Sequence, residues 1–215
     1  MPVLKPRVNE PRLPELRASD ASALGAGVFA ERMRFDSADL SGRDLSELAV
    51  TECAFAGVRL DGATLRGASF DEVQITGLTA ATLQAERARW HTVDVRSSRI
   101  GAGELYDAEM RGVAFTGCKI GFLNLAGSSL DDVLFTECAI DELDISGARA
   151  SRVALRDCTV GTLTVAGTRS SNVDLRGTRI ERTTGLDGLR GVTLDEDQVA
   201  MLVPSLLRSA GILLG

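Results

Sequence analysis

Few side chains in this 215-residue chain could carry out chemistry. It has one histidine, His91, and four cysteines, Cys53, Cys118, Cys138 and Cys158. One imidazole cannot build a histidine-based metal site, and no two cysteines have the CxxC spacing of a zinc or thioredoxin-type motif. No glycine-rich phosphate loop is present either. The sequence therefore predicts a protein that is not an enzyme, with no catalytic residue, no metal and no cofactor.

The cysteines belong to a repeat with a period of five residues. Of the thirty positions from Phe35 to Ile180 that are multiples of five, 26 hold a large apolar residue. Two residues before each of these centres lies a second, usually smaller residue, and all four cysteines occupy that position. An α-helix repeats at about 3.6 residues and a strand at about 2, so a period of five fits neither. It predicts short straight segments joined by corners, with both of these positions pointing inward. Ten glycines, such as Gly57, lie two residues after a centre, where the coil must turn.

Residue types also recur at intervals of twenty, which gives the number of sides. Val113, Val133 and Val153 recur in this way, as do three of the cysteines. Four pentads per turn predict a square coil, and seven and a half coils at about 4.8 Å make a rod about 36 Å long. Trp90 shares its coil with several alanines that leave room for the indole, so we expect it to be buried. Ser170 replaces a large residue at a centre and would need a backbone hydrogen-bond partner.

Three segments of the repeat, SADLSGRDLSE, DGATLRGASF and SNVDLRGTRI, resemble the A(D/N)Lxx signature of pentapeptide-repeat proteins. The resemblance covers residues 28–184 and implies an all-β fold, a right-handed quadrilateral β-helix, without enzymatic activity. The best-understood members, the Qnr and MfpA quinolone-resistance proteins, are dimeric rods that resemble DNA in shape and charge and bind DNA gyrase. The resemblance thus implies a DNA mimic whose partner is DNA gyrase or another type II topoisomerase, with a role in antibiotic resistance. The pentads run unbroken, without an insertion for the projecting loop of many Qnr proteins.

The chain divides into the repeat and two end segments. Residues 1–27 begin with four of the five prolines, and we expect an extended or disordered arm followed by a capping turn. Residues 28–184 are the β-helix. Residues 185–215 resemble the dimerising C-terminal segment of Qnr and MfpA proteins, and Thr193 and Glu196 have the spacing of a capping box for a helix there. The apolar stripe of that helix either covers the open end of the rod, forms a two-fold homodimer interface, or does both. It consists of Val199, Leu202, Val203, Leu206 and Leu207.

The distribution of charged residues also indicates which surfaces could bind a partner. The net charge of −6 argues against a surface for nucleic-acid phosphate, so we expect no direct binding of nucleic acid. Between Lys119 and Arg149 there is no basic residue, and the coils from Arg149 onward are basic. The intervening segment holds an acidic girdle that we expect to face outward: Asp131, Asp132, Glu137, Asp141, Glu142 and Asp144. The girdle is either a solvated surface balanced by neighbouring coils or a partial mimic of DNA phosphate.

Other residues are expected on the surface. His91 follows a centre, so it should be exposed and without a partner. Tyr106, Phe122 and Leu134 are also outward in this register, either as ordinary exposure or as part of a contact patch. No apolar run reaches the roughly 18 residues of a membrane helix, and the N-terminus lacks the apolar core of a signal peptide. We therefore expect a cytoplasmic protein with reduced thiols and no membrane partner.

Two functions are consistent with these features. One is a non-enzymatic binder and protector of DNA gyrase or another type II topoisomerase, supported by the rod, the acidic balance and the terminal segment. The other is a structural or interaction solenoid with a different protein partner, supported by the mixed charges of the surface.

Overall fold

The computed structural model describes residues 3–209, which form a right-handed four-sided β-helix with one α-helix at its C-terminal end. Residues 210–215 of the expected C-terminal segment lie outside the described residues. The larger of two parallel sheets has eleven strands: β1 (Arg17–Ser19), β2 (Phe29–Glu31), β3 (Met33–Asp36), β4 (Ala49–Ala56), β6 (Ser69–Thr76), β8 (Arg89–Arg96), β10 (Glu109–Thr116), β12 (Ser129–Thr136), β14 (Arg149–Arg156), β16 (Arg169–Asp174) and β18 (Val192–Thr193). The smaller has seven: β5 (Ala63–Thr64), β7 (Thr79–Gln84), β9 (Arg99–Glu104), β11 (Lys119–Asn124), β13 (Ala139–Asp144), β15 (Thr159–Thr164) and β17 (Arg179–Thr184). Two 3₁₀ turns span Ala21–Ala23 and Leu186–Leu189, and helix α1 spans Glu196–Ser209.

Most strands pair in parallel with the residue twenty positions away, as the column pattern predicts. Val113 pairs with Val133, for example. The ladder continues beyond the pentads because β1 pairs with β3 at an offset of 16 residues and β18 pairs with β16 at an offset of 19. The rod therefore has about nine coils, or about 43 Å at about 4.8 Å per coil. The predicted seven and a half coils were too few because the end strands do not follow the period of five.

The coil turns at residues in the left-handed backbone region. Each eight-residue strand crosses a corner, and in β4 the corner residue is Glu52, with φ of 52°. This region is unusual for residues other than glycine, yet the described chain holds fourteen of them at positive φ. The ten glycines expected at corners also have positive φ: Gly57, Gly62, Gly67, Gly77, Gly112, Gly117, Gly127, Gly147, Gly167 and Gly177. Corners are thus set by the coil as a whole, and glycine relieves the strain at many of them.

The interior is filled by the two predicted inward positions. All four cysteines are buried as free thiols, and Trp90 is buried with 5% of its surface exposed, as predicted. The indole stacks on Phe70 of the preceding coil, with ring centroids 4.6 Å apart. Ser170, in contrast, has a buried hydroxyl without the hydrogen-bond partner that we expected. The Trp90 Nε1 is likewise buried without a hydrogen-bond partner, so the interior leaves one polar atom of each of these two side chains unpaired.

Small polar side chains in the interior bind the carbonyl of a residue 23 positions earlier. The Cys138 thiol donates to the Phe115 carbonyl over 3.4 Å, and the Thr178 hydroxyl donates to the Leu155 carbonyl over 3.0 Å. Cysteine and threonine are interchangeable at this position because each offers one donor to the same acceptor. Hydrogen bonds with the Cys118 and Cys158 thiols, together with burial, raise the pKa of Cys138. A buried thiol with a raised pKa is a poor nucleophile, which supports a structural role for this cysteine.

Both ends of the rod are closed by polar side chains. At the N-terminal end, the Arg43 guanidinium points inward and donates to the carbonyls of Ala21 and Leu24. At the C-terminal end, the capping box of α1 is formed by Asp195 and Gln198. The Gln198 backbone N–H donates to Asp195 Oδ1, and the Asp195 N–H donates to Gln198 Oε1, each over 2.9 Å. The predicted box of Thr193 and Glu196 was therefore wrong by two residues.

Candidate functional site

The N-terminal arm, residues 3–16, lies extended along the outside of the rod. Its backbone N–H groups donate to one corner column, whose members are separated by multiples of twenty residues. Leu4 donates to Asn172 Oδ1 over 3.1 Å, Arg7 donates to Asp132 Oδ1 over 2.8 Å, and Arg12 donates to Glu72 Oε2 over 2.7 Å. At the start of β1, the Arg17 N–H donates to the Arg32 carbonyl over 2.9 Å. The arm therefore runs from the C-terminal coils of the rod back to the first coil.

The arm crosses one face of the rod next to this corner. On the far side of that face, Glu10 pairs with Arg96 over 2.8 Å. The outward side chains of the face that lie between these two lines of contact are Asp94, Ala114, Leu134 and Ala154; we call them the arm face. Asp94 and Ala154 are buried and the other two are half-buried, although all four point away from the interior. These side chains lie between the two lines of contact of the arm, and Asp94 is also paired with Arg96 over 2.6 Å.

The arm also follows a five-residue pattern that the sequence analysis missed. Its sequence from residue 3 reads VLKPR, VNEPR, LPELR, with an apolar residue first, proline or leucine fourth and arginine fifth. The first and fourth residues of each unit are half-buried, and those between them are exposed. The half-buried residues are Val3, Pro6, Val8, Pro11, Leu13 and Leu16. The recurrence was visible in the sequence and has the same period as the coil, but its two half-buried positions are three residues apart, whereas the two inward positions of the coil are two apart.

The acidic girdle is divided by its contacts. Asp132 is buried rather than outward-facing, because it accepts hydrogen bonds from the arm and from Arg152, whose Nε lies 2.7 Å from Asp132 Oδ1. The hydrogen bond from Arg152 lowers the pKa of Asp132. Asp131 is half-buried and pairs with the same guanidinium, and Asp144 accepts from the N–H of Ser146 over 2.8 Å. These three carboxylates hold the coils together or stabilise a turn.

The remaining three carboxylates of the girdle are exposed. Glu137, Asp141 and Glu142 are joined at the surface by Asp157, which lies one coil beyond Glu137 at the same corner. Among the ion pairs of residues 3–209, none involves these four side chains, which we call the acidic patch. Asp157 was not predicted to belong to this surface, because the arginines near it in the sequence indicate a basic coil. The patch is a local source of negative potential that a cationic partner surface could meet.

The other predicted surface residues are less available than expected. Tyr106, Phe122 and Leu134 are all half-buried, and Leu134 belongs to the arm face. They lie on different faces and do not form one patch. His91 is exposed as expected, but it is not without a partner, since its Nδ1 lies 2.6 Å from Asp71 Oδ1 on the preceding coil. Within the described part of the chain, no group of three or more histidine, cysteine or acidic side chains could hold a metal ion.

Helix α1 has one side on the rod and one exposed apolar stripe. The Gln198 side chain is buried against the last coil, and Leu202, one turn later, is half-buried. Val199 and Val203 are 45% and 42% exposed and lie one turn apart. Leu206 is also exposed, and Leu207 is half-buried. Among the described residues, no helix is long and apolar enough to cross a membrane.

Comparison with known proteins finds similarity to a known repeat in part of the chain. Residues 34–71 match the family model of pentapeptide repeats, in eight copies. A trypsin-treated variant of QnrB1, a plasmid-mediated fluoroquinolone resistance protein, is similar over 92% of this chain and 96% of its own, with 16% identity and a TM-score of 0.46. HetL from the cyanobacterium Nostoc, a pentapeptide-repeat protein involved in regulating heterocyst differentiation, is similar over 77% of this chain and 91% of its own, with 13% identity and a TM-score of 0.24. A search of curated protein sequences found no match.

Proposed function

We propose that this chain acts without catalysis, by binding a protein partner along its rod; the match of residues 34–71 to pentapeptide repeats and the continuation of the period of five to Ile180 support this proposal. The partner that we propose is DNA gyrase or another type II topoisomerase, with the rod occupying a surface that otherwise receives DNA. The observation that supports this proposal is the acidic patch, where Glu137, Asp141, Glu142 and Asp157 are exposed and unpaired within the described chain. A DNA-binding groove is basic, so such carboxylates would be attracted to it.

The patch offers a direct test. We expect the unaltered protein to reduce supercoiling by gyrase, or to protect the enzyme from a quinolone, at micromolar concentration. The triple variant Glu137→Gln, Asp141→Asn, Glu142→Gln should weaken this effect at least tenfold, because three charge-assisted contacts of about 0.5–1 kcal/mol each would be lost. The effect should also decline as salt is raised, since it depends on exposed charges.

A matched control distinguishes the patch from total charge. The variant Glu31→Gln, Glu47→Gln, Glu109→Gln changes the net charge equally at three exposed carboxylates elsewhere on the rod. It should retain the effect of the unaltered protein. Equal losses in both triple variants would assign the effect to net charge, and no effect of the unaltered protein on gyrase would exclude this partner. Asp132 is unsuitable for the test because its neutralisation also removes the partner of Arg152.

A structural or interaction role with another protein is the second candidate. It is favoured by the basic side chains close to the patch, since Arg149, Arg169 and Arg179 are all exposed on the neighbouring coils. A surface of mixed sign suits a partner that also has mixed charges, whereas a DNA mimic would be acidic along its length. Affinity that persists at high salt, together with no effect on gyrase, would support this candidate.

We also propose that the protein is a homodimer through α1. Val199 and Val203 form an exposed apolar stripe that a second copy could cover by the same stripe, as a two-fold interface requires. The variant Val199→Lys, Val203→Lys should sediment as a monomer at concentrations where the unaltered protein is a dimer. Ala200→Lys is the matched control, because Ala200 is exposed on a different side of the helix. A monomeric unaltered protein at micromolar concentration would exclude the dimer.

A further inference from the structure

We propose that the arm face and its corner column form a binding site for an extended segment of a partner protein, and that the chain's own arm is the resident occupant. The segment that fits has units of five residues, with an apolar residue first, proline fourth and a free backbone N–H at the fifth. This inference is independent of the identity of the partner proposed above. It rests on the acceptors of the rod, on the length of the arm and on the repeat within the arm.

The acceptors are side chains that the coil holds in place. Asp132 is fixed by Arg152, and Glu72 and Asn172 are corner residues at positive φ, half-buried beside the arm. Each accepts a hydrogen bond from a backbone N–H, which every residue except proline offers. Recognition by this column therefore requires an extended backbone rather than a particular side chain.

The spacing of the contacts selects the conformation of the segment. From Leu4 to Arg12 the arm takes eight residues to pass from the coil of Asn172 to the coil of Glu72, five coils away. Five coils at about 4.8 Å are about 24 Å, or about 3.0 Å per residue. This rise matches the polyproline II helix, at about 3.1 Å, and is shorter than that of a β-strand. The prolines at positions 6 and 11 favour this conformation before binding, which reduces the entropy lost.

The arm is bound weakly enough to be displaced. Before β1 it pairs with no strand, and its apolar side chains are only half-buried. Its ion pair joins a Glu10 side chain that is 83% exposed to an Arg96 side chain that is 39% exposed, so it contributes little. The arm is tethered to the rod at one end, which gives it an effective concentration of about 1 mM. A partner segment with more units, or with a larger apolar residue at the first position, could therefore replace it.

The experiment uses the full chain and a labelled peptide. The variant Val8→Asp, Leu13→Asp detaches the arm by placing charges at two half-buried positions. A fluorescent peptide with the sequence of residues 3–16 is then titrated against this variant and against the unaltered protein. We expect binding to the variant at least tenfold tighter than to the unaltered protein, because the resident arm competes at about 1 mM. Equal binding to both proteins, or no binding to either at about 1 mM peptide, would overturn the proposal.

A second peptide tests the acceptor column. Methylation of the backbone nitrogens of the residues matching Arg7 and Arg12 removes two donors and leaves every side chain unchanged. We expect at least tenfold weaker binding, since two hydrogen bonds to carboxylates would be lost. Unchanged binding would contradict recognition by the column. If the unaltered protein self-associates at these concentrations and the detached variant does not, the occupant in trans is the arm of a second copy, and the proposal of a different partner is wrong.

Discussion

Gln198 closes the C-terminal end of the rod, and its replacement by methionine should loosen that end without unfolding the rest. Its amide Nε2 donates to the Leu175 carbonyl over 2.6 Å and to the Thr178 carbonyl over 2.7 Å, while Oε1 accepts from Asp195. Leu175 lies 23 residues before Gln198, the same separation as between Thr178 and its own acceptor, Leu155. The first turn of α1 thus places a side chain where the next coil would have placed one.

The size of the effect follows from three buried hydrogen bonds. Gln198→Met keeps the volume of the side chain and removes all three, at about 1 kcal/mol each, or about 3 kcal/mol in total. Because each coil contacts mainly its neighbours, this cost should fall on α1 and the last coil rather than on the whole rod. Amide hydrogen exchange of α1 and β16 should accelerate by about a hundredfold, while exchange in β8 should not change.

The control for this prediction is Ala200→Ser, an exposed substitution in the same helix. It should leave exchange of β16 unchanged. Exchange in β16 that is no faster in Gln198→Met than in the control would show that the capping contacts do not hold the end of the rod. Acceleration of the same size in β8 would refute the idea that the coils are energetically local.

Two further predictions concern the interior and the arm. Trp90→Ala should lower the free energy of unfolding, measured by guanidinium titration, by about 3–5 kcal/mol. The indole stacks on Phe70, and the small alanines of its coil cannot fill the cavity that its removal leaves. A loss below about 1 kcal/mol would contradict this prediction. The hydrogen bond from Arg152 lowers the folded-state pKa of Asp132, so the stabilisation by Asp132 is present above its unfolded pKa of about 3.9 and is lost as pH falls through the lower folded value. The N–H resonance of Arg7 should therefore shift only below about pH 4, and release of the arm near pH 6 would disprove this assignment.

The period of five predicted the coil, its inward positions and the burial of Trp90, because those features depend only on spacing along the chain. The arm was harder to predict. Its prolines indicated an extended or disordered segment, but its acceptor Asp132 lies 125 residues beyond its donor Arg7. No local pattern reports such a contact. The burial of Asp132 was missed for the same reason, since its register position faces outward and it is covered by the arm and by Arg152 of the next coil.

The choice between two capping boxes also depended on distant contacts. Thr193 and Glu196 have the same spacing as Asp195 and Gln198, so spacing alone could not distinguish them. Asp195 also accepts a hydrogen bond from the N–H of Gly177 over 3.0 Å, and Gln198 binds carbonyls of the last coil. The coil therefore selects the start of the helix. The segment and its apolar stripe were predictable from the sequence, whereas tertiary contacts determine which residues cap the helix.

The distribution of charge separates the surface residues that stabilise the rod from those that are free to bind a partner. Several oppositely charged residues pair at a separation of twenty, such as Arg32 with Glu52 and Arg66 with Glu86, so much of the surface charge joins one coil to the next. The carboxylates that such pairs do not engage include those of the acidic patch. The patch, the arm face and the exposed stripe of α1 lie on different parts of a fold whose coils interact mainly with their neighbours. A variant at one of these surfaces should therefore leave the other two intact, so gyrase inhibition, peptide binding and dimerisation can each fail without the others.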